Sequence, residues 1–449
     1  MVILYLFLGI SIFLISSFLF KKASGTLSIK KLNIISFTYY NLVIFSYLGA
    51  MIILLGFREH YMVEKIRSDE VIIKTCLFLA YTFIVFPLVI LIYAKLFVGK
   101  DIKGKYDKYI YSELKFEKKE NLSYSLMVIC TAIGIFATVH MFMNIGSVPL
   151  FTALFGKNSS LGMLREDVTR NYTGNLYVRN ILVLTLTPLL SYFSYIYMRV
   201  SKTKKKQWIL LFALNAVLAI LIKTYNLEKA PVIYWLFYFY ILEVVLGNKN
   251  AYKMLKYLIF LFILMIVFMY LGGGYSNRFL TLSSGPLSRI LITQVSTLFL
   301  HVQAFPVQHP FLNGASLPRA VAWLAGSSQS WVRSGRIVMQ IYNPKGVASG
   351  EAGVMNAMFL GEAYANWGIG GVLFSSFVVA LPLVISFAIL LRQEKTPLTI
   401  LLYLSLFITF TGSLQGGFID YVYNSNFILF IIIALFFSAM LNRGKIKIR

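Results

Sequence analysis

Cysteine, histidine and acidic side chains are all scarce in this 449-residue sequence, and each scarcity excludes something. There are 2 cysteines, Cys76 and Cys130, and both fall inside apolar runs, so no disulfide framework or thiolate metal cluster follows from them. Of the 4 histidines, His301 and His309 stand eight apart with no third ligand nearby, which does not make a metal site. The 17 acids are outnumbered by 42 Lys+Arg, and charged residues make up only 13% of a chain that is 58% apolar. That balance excludes an ordinary water-soluble globular protein. A Walker loop, an HExxH motif and a usable GxGxxG turn are all missing.

What is present is a succession of apolar runs, each about 17–25 residues long and able to cross a bilayer core of roughly 30 Å. Continuous runs of this kind argue for helices, since a β-barrel would show short alternating strands. The sequence therefore predicts an all-α polytopic membrane protein with about eleven transmembrane helices. The first run, 1–20, lacks a basic leader and a small-residue cleavage site, and lysines at 21 and 22 follow it, so it reads as a retained anchor. The N-terminus is expected outside and the C-terminus in the cytoplasm, with 1–449 forming a single transmembrane domain. The segment 272–366 is expected to be a long external loop of that same domain.

The charges fit this topology. Of the 42 basic residues, 26 fall in expected cytoplasmic segments and 16 in external ones. Most of the +25 net charge is thus an orientation signal with some attraction to anionic membrane lipids, and no nucleic-acid partner is implied. Base type divides differently: arginine supplies four of the cytoplasmic bases but ten of the external ones. Lysine is enough for topology, whereas the planar guanidinium fork suits bidentate binding of phosphate or carboxylate. Eight of these ten external arginines fall in two groups, Arg165, Arg170 and Arg179, then Arg278, Arg289, Arg319, Arg333 and Arg336 in the long loop. Two readings stand for them: a grip on an anionic substrate, or solvated loops paired with acids such as Glu166, Asp167, Glu351 and Glu362.

The long loop is itself apolar in places. Leu287–Phe305 is expected to lie in the interface or to dip back into the membrane buried in protein, and Ser316–Leu324 and Trp331–Tyr342 are expected to be helical. Trp323, Trp331 and Trp367 suit the headgroup level. Such a layout sets the loop arginines at the depth of lipid phosphates. Gly361, Gly368, Gly370 and Gly371 permit close packing or a break at the entrance to the ninth span. Asp420 is the lone charge of its loop, and Lys74 and Glu243 sit near span ends.

Several segments together resemble a known family. Phe305-Pro306, Phe311-Leu-Asn-Gly-Ala-Ser316, Val338–Pro344, the turn Glu228-Lys-Ala-Pro231 and above all Gly361-Glu-Ala-Tyr-Ala-Asn-Trp-Gly-Ile-Gly-Gly371 resemble the Wzy-type O-antigen and capsule polymerases, the oligosaccharide repeat-unit polymerases. The layout of eleven spans with one long loop before the last three agrees along the whole chain. The Arg-x10-Gly pattern described for some members is absent, so no arginine role carries over by spacing.

The resemblance implies a metal-independent glycosyltransferase without cofactor in the bacterial cytoplasmic membrane. It would move a glycan from undecaprenyl pyrophosphate onto a new lipid-linked repeat unit at the outer face. It implies undecaprenyl-pyrophosphate-linked glycans as partners and allows a chain-length regulator. Arg278, Arg289, Arg319, Arg333, Arg336, Lys229, Arg179, Tyr364 and Asn366 are then the expected substrate-binding residues, and Glu362, Glu351 and His301 the candidate bases. An O-antigen ligase-type transferase or a lipid-linked oligosaccharide flippase are the rival readings. A flippase would need polar groups facing a midplane cavity, and the apolar runs hold almost none.

Overall fold

The structure, a computed structural model, describes residues 2–115, 120–155, 165, 168, 172–228, 230–272, 281–318, 321, 331–350 and 352–441. Among these residues all regular structure is helical. In chain order the helices are α1 (Val2–Ser24), α2 (Ile34–Leu54), α3 (Asp69–Phe97), α4 (Ile102–Tyr111), α5 (Glu120–Met143), α6 (Pro149–Phe155), α7 (Val178–Val200), α8 (Lys205–Thr224) and α9 (Ala230–Leu246). There follow α10 (Ala251–Gly272), α11 (286–304), α12 (Ser334–Tyr342), α13 (Pro344–Ala348), α14 (Met358–Arg392), α15 (Pro397–Gly416), α16 (Ile419–Val422) and α17 (Ser425–Leu441).

Eight of them, α1, α2, α3, α5, α7, α8, α14 and α15, are long and apolar enough to cross a bilayer. The three remaining expected spans coincide with α9 and α17, apolar but only 17 residues each, and with the 22-residue α10. This is the architecture of a multi-pass membrane protein. The chain folds as two compact units.

The first unit comprises Met1–Lys108, Leu261–Leu391 and Phe407–Asn424. Here α1 packs along α3, and α2 begins at a capping box in which the Asn33 side chain accepts from the Ile35 and Ser36 amides. Both α2 and α11 carry a π turn, at Val43–Tyr47 and Arg289–Thr293, and they pack against each other there. Gly49 makes that approach possible: a Cβ at this position would stand 1.8 Å from the Leu291 carbonyl oxygen.

From Val295 to Ala304 every residue of α11 is buried, so this part of the long loop is enclosed by protein. Two boundaries differ from expectation. The helix expected over Trp331–Tyr342 begins at Ser334, because Arg333 has an extended backbone (φ −81°, ψ 123°). The helix expected over Ser316–Leu324 is not formed at 316–318, which continue a turn in which Leu317 N–H donates to the Gly314 carbonyl; 319, 320 and 322–330 lie outside the described residues.

The ninth expected span is preceded by a break. Within α14 the helix is interrupted at Trp367 and Gly368, and Gly368 takes φ 58°, ψ −139°, which glycine adopts at little cost. A short helical piece, 358–366, thus precedes the longer one, and the chain folds so closely here that a Cβ at Gly371 would stand 2.1 Å from the Ala363 carbonyl oxygen.

The second unit comprises Tyr109–Phe260, Arg392–Leu406 and Ser425–Arg449. Its core joins Met127 of α5, Leu190, Phe193 and Tyr197 of α7, and Trp208 and Leu211 of α8, with Tyr197 stacked on Trp208 at 4.3 Å. The acid of α9, Glu243, is 3% exposed and fully engaged: Tyr195 Oη donates to it at 2.6 Å, Arg199 pairs with it at 2.9 Å, and Asn248 donates as well. An acid near the end of an apolar helix is thereby consumed by structure.

Lys395 is another enclosed charge of this unit. Its Nζ donates to the carbonyls of Ile110 (2.6 Å) and Ser112 (3.2 Å) and lies over the Tyr109 ring. Burial pulls its pKa from the ordinary 10.5 down to about 8. The folded state therefore holds this proton more weakly than the unfolded chain does. The resulting penalty is complete below about pH 8 and fades as pH rises toward 10.5. In detergent, the wild-type melting temperature should carry a rising component between these values that Lys395→Met lacks. An identical pH profile in the variant would contradict the assignment.

Candidate functional site

Two of the segments that carry the resemblance, 311–316 and the start of 361–371, meet in the first unit, whereas the turn at 228–231 belongs to the second. The strap 311–316 is laid on the piece 358–366 by backbone bonds from Leu312 N–H to the Ala365 carbonyl (2.9 Å) and Asn313 N–H to the Asn366 carbonyl (3.0 Å). Asn366, wholly buried, fastens it: Oδ1 accepts from Gly314 N–H at 3.0 Å, and Nδ2 donates to Ser316 Oγ at 2.7 Å and to the Glu362 carbonyl at 2.8 Å. Phe311 closes the near end, edge-on to Tyr364 and against the bare Cα of Gly368. Every hydrogen-bonding atom of the Asn366 amide group is used, so its role is to hold the strap.

Glu362 contributes the carboxylate of this assembly. Its side chain is nearly enclosed, at 8% exposure, and Oε2 accepts from the Ile419 amide at 3.2 Å. The Ser316 hydroxyl donates to the same carboxylate, which makes a chain from Asn366 Nδ2 through Ser316 Oγ to Glu362. Asp420 lies beside it, hydrogen-bonded to Ser413. Arg333 is the cation whose charge bears on both carboxylates, and its Nη2 donates to Asn356 Oδ1 at 3.3 Å.

Gly416 and Gly417 make room for the pair. A Cβ at Gly417 would come within 2.2 Å of Glu362 Oε2, and one at Gly416 within 3.2 Å of Asp420 Oδ2. Asp420 and Arg333 are both part-exposed, so the cluster meets the surface through them. Two carboxylates with one guanidinium, reaching the surface through Asp420 and Arg333, have the chemistry to bind hydroxyl groups and to accept a proton.

The other expected site residues divide. Tyr364 is buried, donates to the Phe305 carbonyl (3.2 Å) and receives Lys74 Nζ on its hydroxyl at 3.0 Å, with the same ammonium over its ring. His301 is enclosed in α11. Its Nδ1 bonds the Thr297 carbonyl at 2.8 Å, its Nε2 has no partner, and burial pushes its pKa down to about 4. A neutral imidazole sealed from solvent cannot exchange protons with a substrate at the surface, so its place favours packing against Gly361 over base catalysis.

Arg336 clamps a turn, with Nη1 donating to the carbonyls of Ala352 (2.8 Å) and Gly353 (3.0 Å). Arg289 is exposed on the π turn of α11. Arg179 belongs to the second unit, where it donates to Asn180 and the Val168 carbonyl and covers the Tyr172 ring at 4.7 Å. Arg278, Arg319, Glu351 and Lys229 lie outside the described residues.

Lys74, Ser316, Gly417 and Asp420 were not among the expected site residues. Asp420 carried one signal in the sequence, its standing as the lone charge of its loop; Gly417 carried none. No protein-family model matches this chain, and no curated protein or solved structure matches it either.

Proposed function

We propose that this chain is a membrane glycosyltransferase that polymerises undecaprenyl-pyrophosphate-linked oligosaccharide units at the outer face of the bacterial cytoplasmic membrane. In this reading eleven helices cross the bilayer, with the N-terminus outside and the C-terminus in the cytoplasm. The observation that carries it is the Glu362–Asp420–Arg333 cluster, built where the strap 311–316 is fastened to the piece 358–366 and the Ile419 amide reaches the Glu362 carboxylate. The arginine bias of the expected external segments adds weight.

In the reaction, an acceptor sugar hydroxyl bound at Asp420 gives its proton to Glu362 as its oxygen attacks the anomeric carbon of the donor glycan. The bond from that carbon to the pyrophosphate oxygen breaks, and undecaprenyl pyrophosphate leaves with its charge stabilised by Arg333 and other external arginines. Ser316 holds the Glu362 carboxylate in position, and Asn366 holds Ser316.

Topology gives one check. Reporter fusions at Lys204 and Arg449 should report cytoplasm, and one at Asn343 should report the outside; an external C-terminus would overturn the odd span count. Function gives another: in a deletion strain, lipid-linked glycans should collapse from a ladder to single repeat units and regain length on complementation. Loss of external units altogether would indicate a flippase. An intact ladder that fails to reach the lipid A core would indicate a ligase.

A further inference from the structure

Within the first unit, α1, α2 and α3 leave an open apolar groove of about 130 Å³ between them. Its walls include Tyr5 and Gly9 of α1, Tyr47 and Met51 of α2, and Cys76 and Ala80 of α3. All three helices are long and apolar enough to cross a bilayer, so the groove lies at membrane depth, where hydrocarbon and not water is available to fill it.

Two features set this groove apart from a casual packing defect. First, α3 connects it to the candidate site. Ile73, Cys76, Leu77 and Ala80 line the groove, while Lys74 and Phe78 on the adjoining face of the same turns contact Tyr364, at 3.0 Å and 5.3 Å respectively. Second, cations stand at one end. Arg58, in the segment that follows α2, donates to the carbonyl of Ile53 beside the groove residue Leu54, and Lys74 follows the groove residue Ile73 directly. Arg58 is fixed there by the Ile53 and Phe57 carbonyls and by Asp69. A long hydrocarbon chain with an anionic head would match this order: tail between the helices, phosphate at the cations, and what the phosphate carries beside Tyr364.

We infer that the groove between α1, α2 and α3 seats the isoprenoid chain of a polyprenyl phosphate or pyrophosphate. This rests on the proposed function for the identity of the lipid, and the structure supplies the location. Gly9 shapes the groove, since a Cβ there would lie 2.3 Å from Met51 Cε, and Tyr47 Oη donates to the Gly9 carbonyl. Ala80 offers a wall where bulk can be added without touching the carboxylate cluster.

The test is photo-crosslinking of the purified full-length protein in nanodiscs. One probe is a polyprenyl phosphate with a diazirine in its isoprenoid chain; the other is a phosphatidylglycerol with a diazirine in an acyl chain. Peptide mapping should place the polyprenyl adducts on 5–12, 47–54 and 73–80, at least five-fold above the phospholipid adducts there. Ala80→Phe should cut the polyprenyl adducts several-fold while its melting temperature stays near wild type; should that variant melt early, Ala80→Leu takes its place. Equal labelling by both probes would make the groove an ordinary acyl-chain site and overturn the inference, as would polyprenyl adducts elsewhere. The two readings fail separately: a protein that extends glycans but shows no groove adducts refutes the groove alone, and one with groove adducts but no extension refutes the polymerase alone.

Discussion

Glu362→Gln should reduce glycan extension by about 100-fold or more while the protein still reaches the membrane, since a positioned general base contributes roughly 10²–10⁴-fold. Glutamine keeps the size of the side chain and one oxygen for the Ile419 amide, but it cannot take up the acceptor's proton. The loss should fall on turnover, with the concentration dependence on lipid-linked acceptor little changed. Asp420→Asn should show the other pattern, a weaker dependence on acceptor concentration with a smaller fall in turnover, because its part-exposed carboxylate is placed to hold hydroxyls. A Glu362→Gln protein with wild-type extension rates would remove this residue from the chemistry.

The second large effect is expected at Asn366, first on stability. Alanine there leaves the buried Gly314 amide unpaired and takes the donor from Ser316 Oγ. An unpaired buried polar group costs about 1–3 kcal/mol, and the space left by the amide adds to it, so a total on the order of 3 kcal/mol is expected. Thermal unfolding in detergent should register that as a clear fall in melting temperature. Activity should fall too, since the strap 311–316 and the Ser316 contact to Glu362 both depend on Asn366. A variant with unchanged stability would mean that the strap is held elsewhere, and the relay from Asn366 to Glu362 would lose its structural support.

The sequence made legible what depends on composition and local pattern. Runs of apolar residues predict membrane helices, and eight of the eleven runs coincide with helices long and apolar enough to cross a bilayer. The glycines around Trp367 point to close packing or a break, and both occur: Gly371 lies against the Ala363 carbonyl, and Gly368 breaks the helix through its positive φ. The Gly361–Gly371 segment draws attention to Glu362, Tyr364 and Asn366, and all three stand in one assembly with the 311–316 strap.

Less legible was whatever depends on which distant residues meet. Lys74 sits 290 positions from Tyr364, and Ile419 sits 57 from the Glu362 carboxylate that its amide binds; no periodicity encodes either encounter. Residue type alone also leaves a side chain's engagements unread. Arg336 suits phosphate by its chemistry, yet its Nη1 serves two backbone carbonyls, and His301 suits proton transfer, yet α11 encloses it. Chemical aptitude is a property of the side chain, and availability is a property of the fold around it.

If this one chain extends lipid-linked glycans through the cluster around Glu362, it should do so alone in a defined membrane. The most direct measurement gives the purified protein, reconstituted in liposomes, a lipid-linked repeat unit as its only substrate and resolves the product lengths. Extension by this chain alone should give a ladder of multiples with the wild-type protein and single units alone with Glu362→Gln. Single units alone from a folded wild-type protein, or an undiminished ladder from Glu362→Gln, would contradict it.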